Sequence, residues 1–231
     1  MNRLTLVKEI DRVNVYISNV IGYLKERQKT DPVVLILDEE NLKNDTSFVR
    51  YAIMLESEND EIDTEYLRLV VARFLGRPYI IGSDNHLCVR ELQISDADDI
   101  RELYDCSRPV FLEALFSENE NGQLLIKKYI EDVYDFYGYG IWAVQYENEL
   151  IGLAGLIQRD SGLENPDLEL GYFISFNYQR KGLGYRACKI IMDYAKENIV
   201  YNQLGNVLLV TDIDAANKIS KKISFITLFI L

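Results

Sequence analysis

The chain has 231 residues, 48% of them apolar, which is enough for one substantial core and leaves room for a second small domain. Its formal charge of −12 argues against non-specific nucleic-acid binding, which draws its affinity from clustered Lys and Arg. A neutral or cationic substrate fits that charge better than an anionic one, although acidic surfaces commonly serve solubility alone. The N-terminus lacks a signal-peptide pattern and no apolar run is long enough to cross a bilayer, so a cytoplasmic protein without membrane association is expected. Cys88, Cys106 and Cys188 have neither zinc-site pairing nor disulfide-framework density, which predicts reduced, mostly buried thiols and no metal.

Leu4 to Leu24 carries Leu4, Val7, Ile10, Val13, Val15, Ile17, Ile21 and Leu24 at helical spacing, with Lys8, Asp11 and Arg12 on the other face, and predicts a first helix. Val33-Val34-Leu35-Ile36-Leu37 reads as a buried strand ended by Asp38-Glu39-Glu40, and Phe48 to Leu55 as a short helix. Asp63-Thr64-Glu65 can cap a helix over about Tyr66–Leu75 that Gly76 and Pro78 stop, and Tyr79-Ile80-Ile81 reads as a strand. Gly82-Ser83-Asp84-Asn85 is the densest turn signal of this half, and places a boundary between a small α/β module, 1–85, and a second domain, 86–231.

In that domain Leu87–Leu92 reads as a strand, and Ser95-Asp96-Ala97-Asp98 as the capped start of a helix reaching about Cys106. A second helical tract covers about Pro109–Phe136, broken near Asn119–Gly122. Ile141–Tyr146 and Leu150–Gln158 flank Glu147-Asn148-Glu149 as in a hairpin; Leu168–Phe176 is a strand, Tyr185–Asn198 a helix and Val207–Val210 a strand. The fold class is α/β (α+β): a mixed, mostly antiparallel sheet flanked by helices on both faces.

Chemistry concentrates where the Leu168 strand passes through Asn177-Tyr178-Gln179-Arg180-Lys181-Gly182-Leu183-Gly184 into a helix. Gly182 and Gly184 allow a tight turn and close backbone approach, unpaired amides and the dipole face an anion at the helix start, and Arg180 and Lys181 add charge. A Gly-x-Gly pair is also common as a helix-start turn with no ligand. A dinucleotide fingerprint, with Ala187 in place of the third glycine, is disfavoured because the loop follows antiparallel strands late in the chain.

Gln179-Arg180-Lys181-Gly182-Leu183-Gly184 resembles the Q/R-x-x-G-x-G/A signature of the GNAT superfamily of acyl-CoA-dependent N-acyltransferases. Asn177-Tyr178 is similar to the Glu-Tyr pair before that signature, and Glu169-Leu170-Gly171-Tyr172 to the Glu-x-Gly-Tyr of its signature strand in the branch with ribosomal-protein acetyltransferases. The resemblance runs from His86 to Phe225 and implies a GNAT-like fold that binds acetyl-CoA as acyl donor. It implies that the backbone of Phe173, Ile174 and Ser175 pairs with the pantetheine arm, and that Gln179 and Arg180 belong to the cofactor loop. It further implies that the amides of Lys181, Gly182, Leu183, Gly184 and Tyr185 hold the pyrophosphate and that Asn217 contacts the cofactor arm. For Asn217 an ordinary capping or turn role is the alternative.

By the same resemblance, a primary amine of a small molecule, or of a peptide or protein, attacks directly. Glu169 is the candidate base acting through water, against the alternative of a cation-binding or solvent-facing residue, and an amide near Ile174 donates to the oxyanion. The thiolate acid is usually a tyrosine seven residues after the asparagine, where this chain has Ser224. From there the pattern departs: Phe225 to Leu231 is an apolar tail in place of two further strands, as in a truncated or frame-shifted coding region. The alternative function is therefore a non-catalytic acyl-CoA-binding or interaction module. The tail predicts a homodimer or a poorly soluble monomer, unless the N-terminal module covers it. His86 is expected in a turn rather than as a base, and Tyr129, Tyr134, Phe136, Tyr137, Tyr139 and Trp142 in the core rather than around an acceptor pocket.

Overall fold

The computed structural model describes residues 4–38, 43, 49–55, 61–107, 121–134, 137–159, 167–200 and 209–210. The chain divides into two compact units, Met1–Tyr79 and Ile80–Leu231.

In the first unit the helix expected over Leu4–Leu24 is instead a hairpin, β1 (Thr5–Ile10) and β2 (Val13–Ser18), followed by a short helix α1 (Ile21–Arg27). The turn is Asp11-Arg12, with φ of 52° and 66°, the left-handed pair that matches the twist of a two-residue hairpin. Val13, Val15 and Ile17 alternate on one face of β2, and these β-branched residues pack better on a pleated sheet than along a helix. Strand β3 (Val33–Leu37) runs parallel to β2, and β4 (Ala52–Met54) parallel to β3. That last strand replaces the helix expected over Phe48–Leu55, because pairing with Leu35–Leu37 outweighs local propensity. Helix α2 (Thr64–Phe74) starts at Asp63, whose side chain accepts from the Glu65 amide at 3.0 Å, and buries Leu67, Val70 and Val71. Each such apolar side chain contributes about 1.5–3 kcal/mol on burial.

Among the described residues the second unit has a six-stranded sheet of β5 (Ile80–Asp84), β6 (Leu87–Arg90), β7 (Ile141–Tyr146), β8 (Glu149–Arg159), β9 (Asp167–Ile174) and β10 (Leu209–Val210), in the order β10-β9-β8-β7-β6-β5 and antiparallel except between β9 and β10. Its first hairpin joins β5 (Ile80–Asp84) to β6 (Leu87–Arg90) through Asn85-His86, both left-handed, so the turn expected between domains lies inside this unit and His86 is a turn residue. Helix α3 (Ala97–Ser107) follows a 3-10 turn over Ile94–Asp96. Its start is capped by Gln93 and Asp96 in a reciprocal box rather than by Ser95, with the Gln93 amide donating to Asp96 Oδ2 at 2.7 Å. Asp96 can take this role because the buried Arg90 guanidinium grips both its oxygens, at 2.8 and 2.9 Å.

Helix α4 (Gly122–Tyr129) begins at Asn121, at the expected break, and runs into a π-helical turn over Ile130–Tyr134; residues 108–120 lie outside the described residues. Strands β7 (Ile141–Tyr146) and β8 (Glu149–Arg159) form the expected hairpin through Glu147-Asn148. They lead to β9 (Asp167–Ile174), helix α5 (Leu183–Ala195) and β10 (Leu209–Val210). Tyr134, Tyr139 and Trp142 are buried in the core, with Trp142 edge-on to Tyr194 at 5.4 Å, whereas Tyr137 is exposed and Phe136 lies outside the described residues. The Tyr134 hydroxyl accepts from the Leu92 amide at 3.2 Å and donates to the Ile141 carbonyl, tying β6 to β7.

Candidate active site

The site is assembled from the last half of β9, the loop that follows and the first turn of α5. Tyr172 and Ile174 share the face of β9 on which α5 packs: a Cβ added at Gly184 would lie 3.0 Å from the Tyr172 ring and 3.6 Å from Ile174. Gly184 is thus the close-packing glycine of the pair, and Gly182, with φ of 75° and open space around it, is the turning one. Glu169, Gly171 and Phe173 lie by alternation on the opposite face, with Glu169 half-buried.

On its other edge β9 pairs with β8. The Ser175 amide donates to the Ile151 carbonyl at 2.8 Å, and Phe173 stands opposite Leu153. Antiparallel ladders alternate, so the backbones of Phe173 and Ser175 are committed to β8 and the Ile174 amide points the other way. Of the three residues expected to pair with a pantetheine arm, Ile174 alone turns its amide outward. Strand β10 meets β9 only at Leu168 and Glu169, and among the described residues no strand pairs with the free edge beyond them.

The loop brings the helix start to that edge. A 3-10 turn over Phe176–Tyr178 leads to Gln179, whose side-chain amide donates to the Ile174 carbonyl at 2.9 Å. Arg180, with φ of 62°, and Gly182 are left-handed, and Arg180 and Lys181 are exposed. The first intrahelical bond of α5 runs from the Arg186 amide to the Gly182 carbonyl at 3.1 Å, so the helix uses none of the amides of Leu183, Gly184 and Tyr185. Gly182 at the cap position offers no side chain to accept from them. Three amides are therefore left over at the positive end of a 13-residue helix, as an anion site requires.

The basic side chains have separate duties. Arg186 is held by Asp84 Oδ2 at 2.6 Å and the Asn85 carbonyl at 3.0 Å, which fastens α5 to the β5–β6 turn. The Lys181 ammonium lies 4.9 Å from the centroid of the Tyr178 ring, and the Tyr178 hydroxyl donates to Glu149 Oε2 at 2.7 Å. That hydrogen bond, together with the nearby carboxylates, raises the Tyr178 phenol above its ordinary pKa. Reading the sequence missed Tyr178 and Glu149 as contributors; the three-residue spacing from Tyr178 to Lys181 was the available signal. Behind the site, burial pushes the Cys188 thiol up to about 12, which leaves it an inert core group. Asn217 and Ser224 lie outside the described residues.

Known proteins resemble this chain in sequence pattern and in fold. The family model of the acetyltransferase (GNAT) domain matches residues 86–224, more than half of the chain. A Bordetella pertussis protein assigned to the GnaT-family acetyltransferases superposes with a TM-score of 0.51 at 15% identity, over 64% of this chain and 86% of its own. A Vibrio cholerae protein assigned as a ribosomal-protein-serine acetyltransferase gives 0.48 at 16% identity, over 64% and 82%. The Salmonella typhimurium protein yncA, solved with its cofactor acetyl-CoA, gives 0.45 at 18% identity, over 61% and 78%. No curated protein matches the chain. With its motif on the strand, loop and helix described above and more than half its length matched, the chain belongs to the GNAT acetyltransferases.

Proposed function

We propose that the second unit binds acetyl-CoA along the free edge of β9 and the start of α5 and transfers its acetyl group to a primary amine. The observation that carries this reading is the α5 start, where no side chain caps the amides of Leu183, Gly184 and Tyr185. Acetyl-CoA supplies an activated acyl carbon and a thiol leaving group. The three amides hold the pyrophosphate, with Lys181 adding charge, and Gln179 keeps the loop against β9. The outward Ile174 amide hydrogen-bonds the pantetheine arm or the developing oxyanion.

Glu169 takes the proton of the attacking amine. Along a strand rising about 3.3 Å per residue it stands roughly 16 Å from Ile174, beyond the reach of a glutamate side chain, so the proton travels through water. The acceptor is an amine of a small molecule or of a peptide or protein. A screen of such amines for thiol release from acetyl-CoA tests the reading: turnover with at least one is expected, and none with any would remove the enzymatic role. A second reading, a non-catalytic acyl-CoA-binding module, is favoured by Ser224, where the resemblance expects a tyrosine as the thiolate acid. Cofactor binding without turnover would support it.

A further inference from the structure

Lys181 stands one residue before the cap of α5, where the positive end of the helix repels a cation. An ammonium there contributes nothing to the helix and swings away unless something holds it. The face of Tyr178 does so, at 4.9 Å from Nζ. The ring is itself fixed at two points. Its hydroxyl donates to Glu149 Oε2 at 2.7 Å, at the start of β8, and its edge meets Tyr146 of β7 with centroids 6.4 Å apart. The Glu147 carboxylate adds to the negative surroundings of the phenol. A sheet hairpin, an aromatic ring and a lysine thus form one chain of contacts that ends two residues before Leu183, the first of the uncapped amides.

We propose that Tyr178 is a positioning residue for cofactor binding: anchored by Glu149, its ring holds the Lys181 ammonium ready to meet the phosphates of acetyl-CoA. This rests on the cofactor-binding reading above. A charge pre-placed in this way loses less side-chain freedom on binding than a free lysine does.

The test is a double-mutant cycle on the full chain, read as CoA affinity by calorimetry at about 0.05 M and about 0.5 M salt. Lys181→Met is expected to weaken CoA about ten-fold at the lower salt. Tyr178→Leu alone is expected to weaken it about three-fold, and to add nothing in the Lys181→Met background. Tyr178→Phe, which keeps the ring and loses the Glu149 anchor, should fall between wild type and Tyr178→Leu, and the Tyr178→Leu deficit should shrink at the higher salt. An equal loss from Tyr178→Leu in both backgrounds, a loss insensitive to salt, or no effect of Lys181→Met would overturn the proposal while leaving cofactor binding intact. A wild-type chain that binds no CoA would overturn both.

Discussion

Two helix starts in the second unit make opposite use of the same backbone. At α4, Asn121 accepts from the Gln123 amide at 2.9 Å, so the helix satisfies its own first turn. At α5, Gly182 accepts nothing with a side chain and the amides of the first turn are left over. A missing cap alone does not make a site, since α1 also begins without one, at Val20. What α5 adds is a left-handed glycine, a neighbouring lysine and a strand edge that no described strand covers, tied to the loop by Gln179. On the proposed function, the signature leaves this helix start incomplete and acetyl-CoA completes it.

The start of α3 is wholly committed to the fold. Asp96 accepts from the Gln93 amide and from both Nη atoms of Arg90, so Asp96→Ala takes the carboxylate away from a buried guanidinium that still donates to the Glu91 carbonyl. It should destabilise the second unit by about 3–5 kcal/mol in denaturant unfolding followed by Trp142, the one tryptophan of the chain. At the ligand side, Glu169→Gln should lower kcat for acetyl transfer by about 100-fold at neutral pH, with acetyl-CoA affinity unchanged. An unchanged rate across pH would remove Glu169 as the base.

Gly182→Trp should weaken CoA by more than about ten-fold, by crowding the amides of Leu183–Tyr185. Its left-handed φ makes that substitution cost about 1–2 kcal/mol of stability, so an unchanged far-UV circular dichroism spectrum of the variant separates lost binding from lost fold. The smallest effect should come from Asn121→Ala, which ought to lower stability by about 1 kcal/mol and leave CoA affinity alone. If Asn121→Ala changed CoA binding as much as Gly182→Trp, the contrast between the two helix starts would collapse.

What was legible in the sequence was local chemistry with a strict spacing. Gly182 and Gly184, the β7–β8 hairpin, the strand at Val33–Leu37 and the Asp63 cap all announce themselves through residue types that few conformations tolerate. The β1–β2 hairpin did not, because its turn is Asp11-Arg12 without a glycine and its apolar residues satisfy helical spacing as well as alternation. Likewise β4 exists by pairing with β3, and nothing in Ala52-Ile53-Met54 announces that partner. Within the site, the residues of the loop were readable, but the outward turn of Ile174 follows from the ladder with β8. The Glu149–Tyr178–Lys181 contact joins residues up to 32 positions apart, which becomes visible only once β8 and the loop are placed.

On the proposed function, acetyl-CoA completes the start of α5 and the edge of β9 that no described strand covers. Calorimetric titration of the full chain with acetyl-CoA, beside a titration of the Gly182→Trp variant, decides whether it does. Saturable one-site binding to the wild type in the micromolar range, typical of enzyme–substrate complexes, and its loss in the variant are predicted. No heat of binding to the wild type at millimolar acetyl-CoA, or equal binding to both proteins, would contradict it.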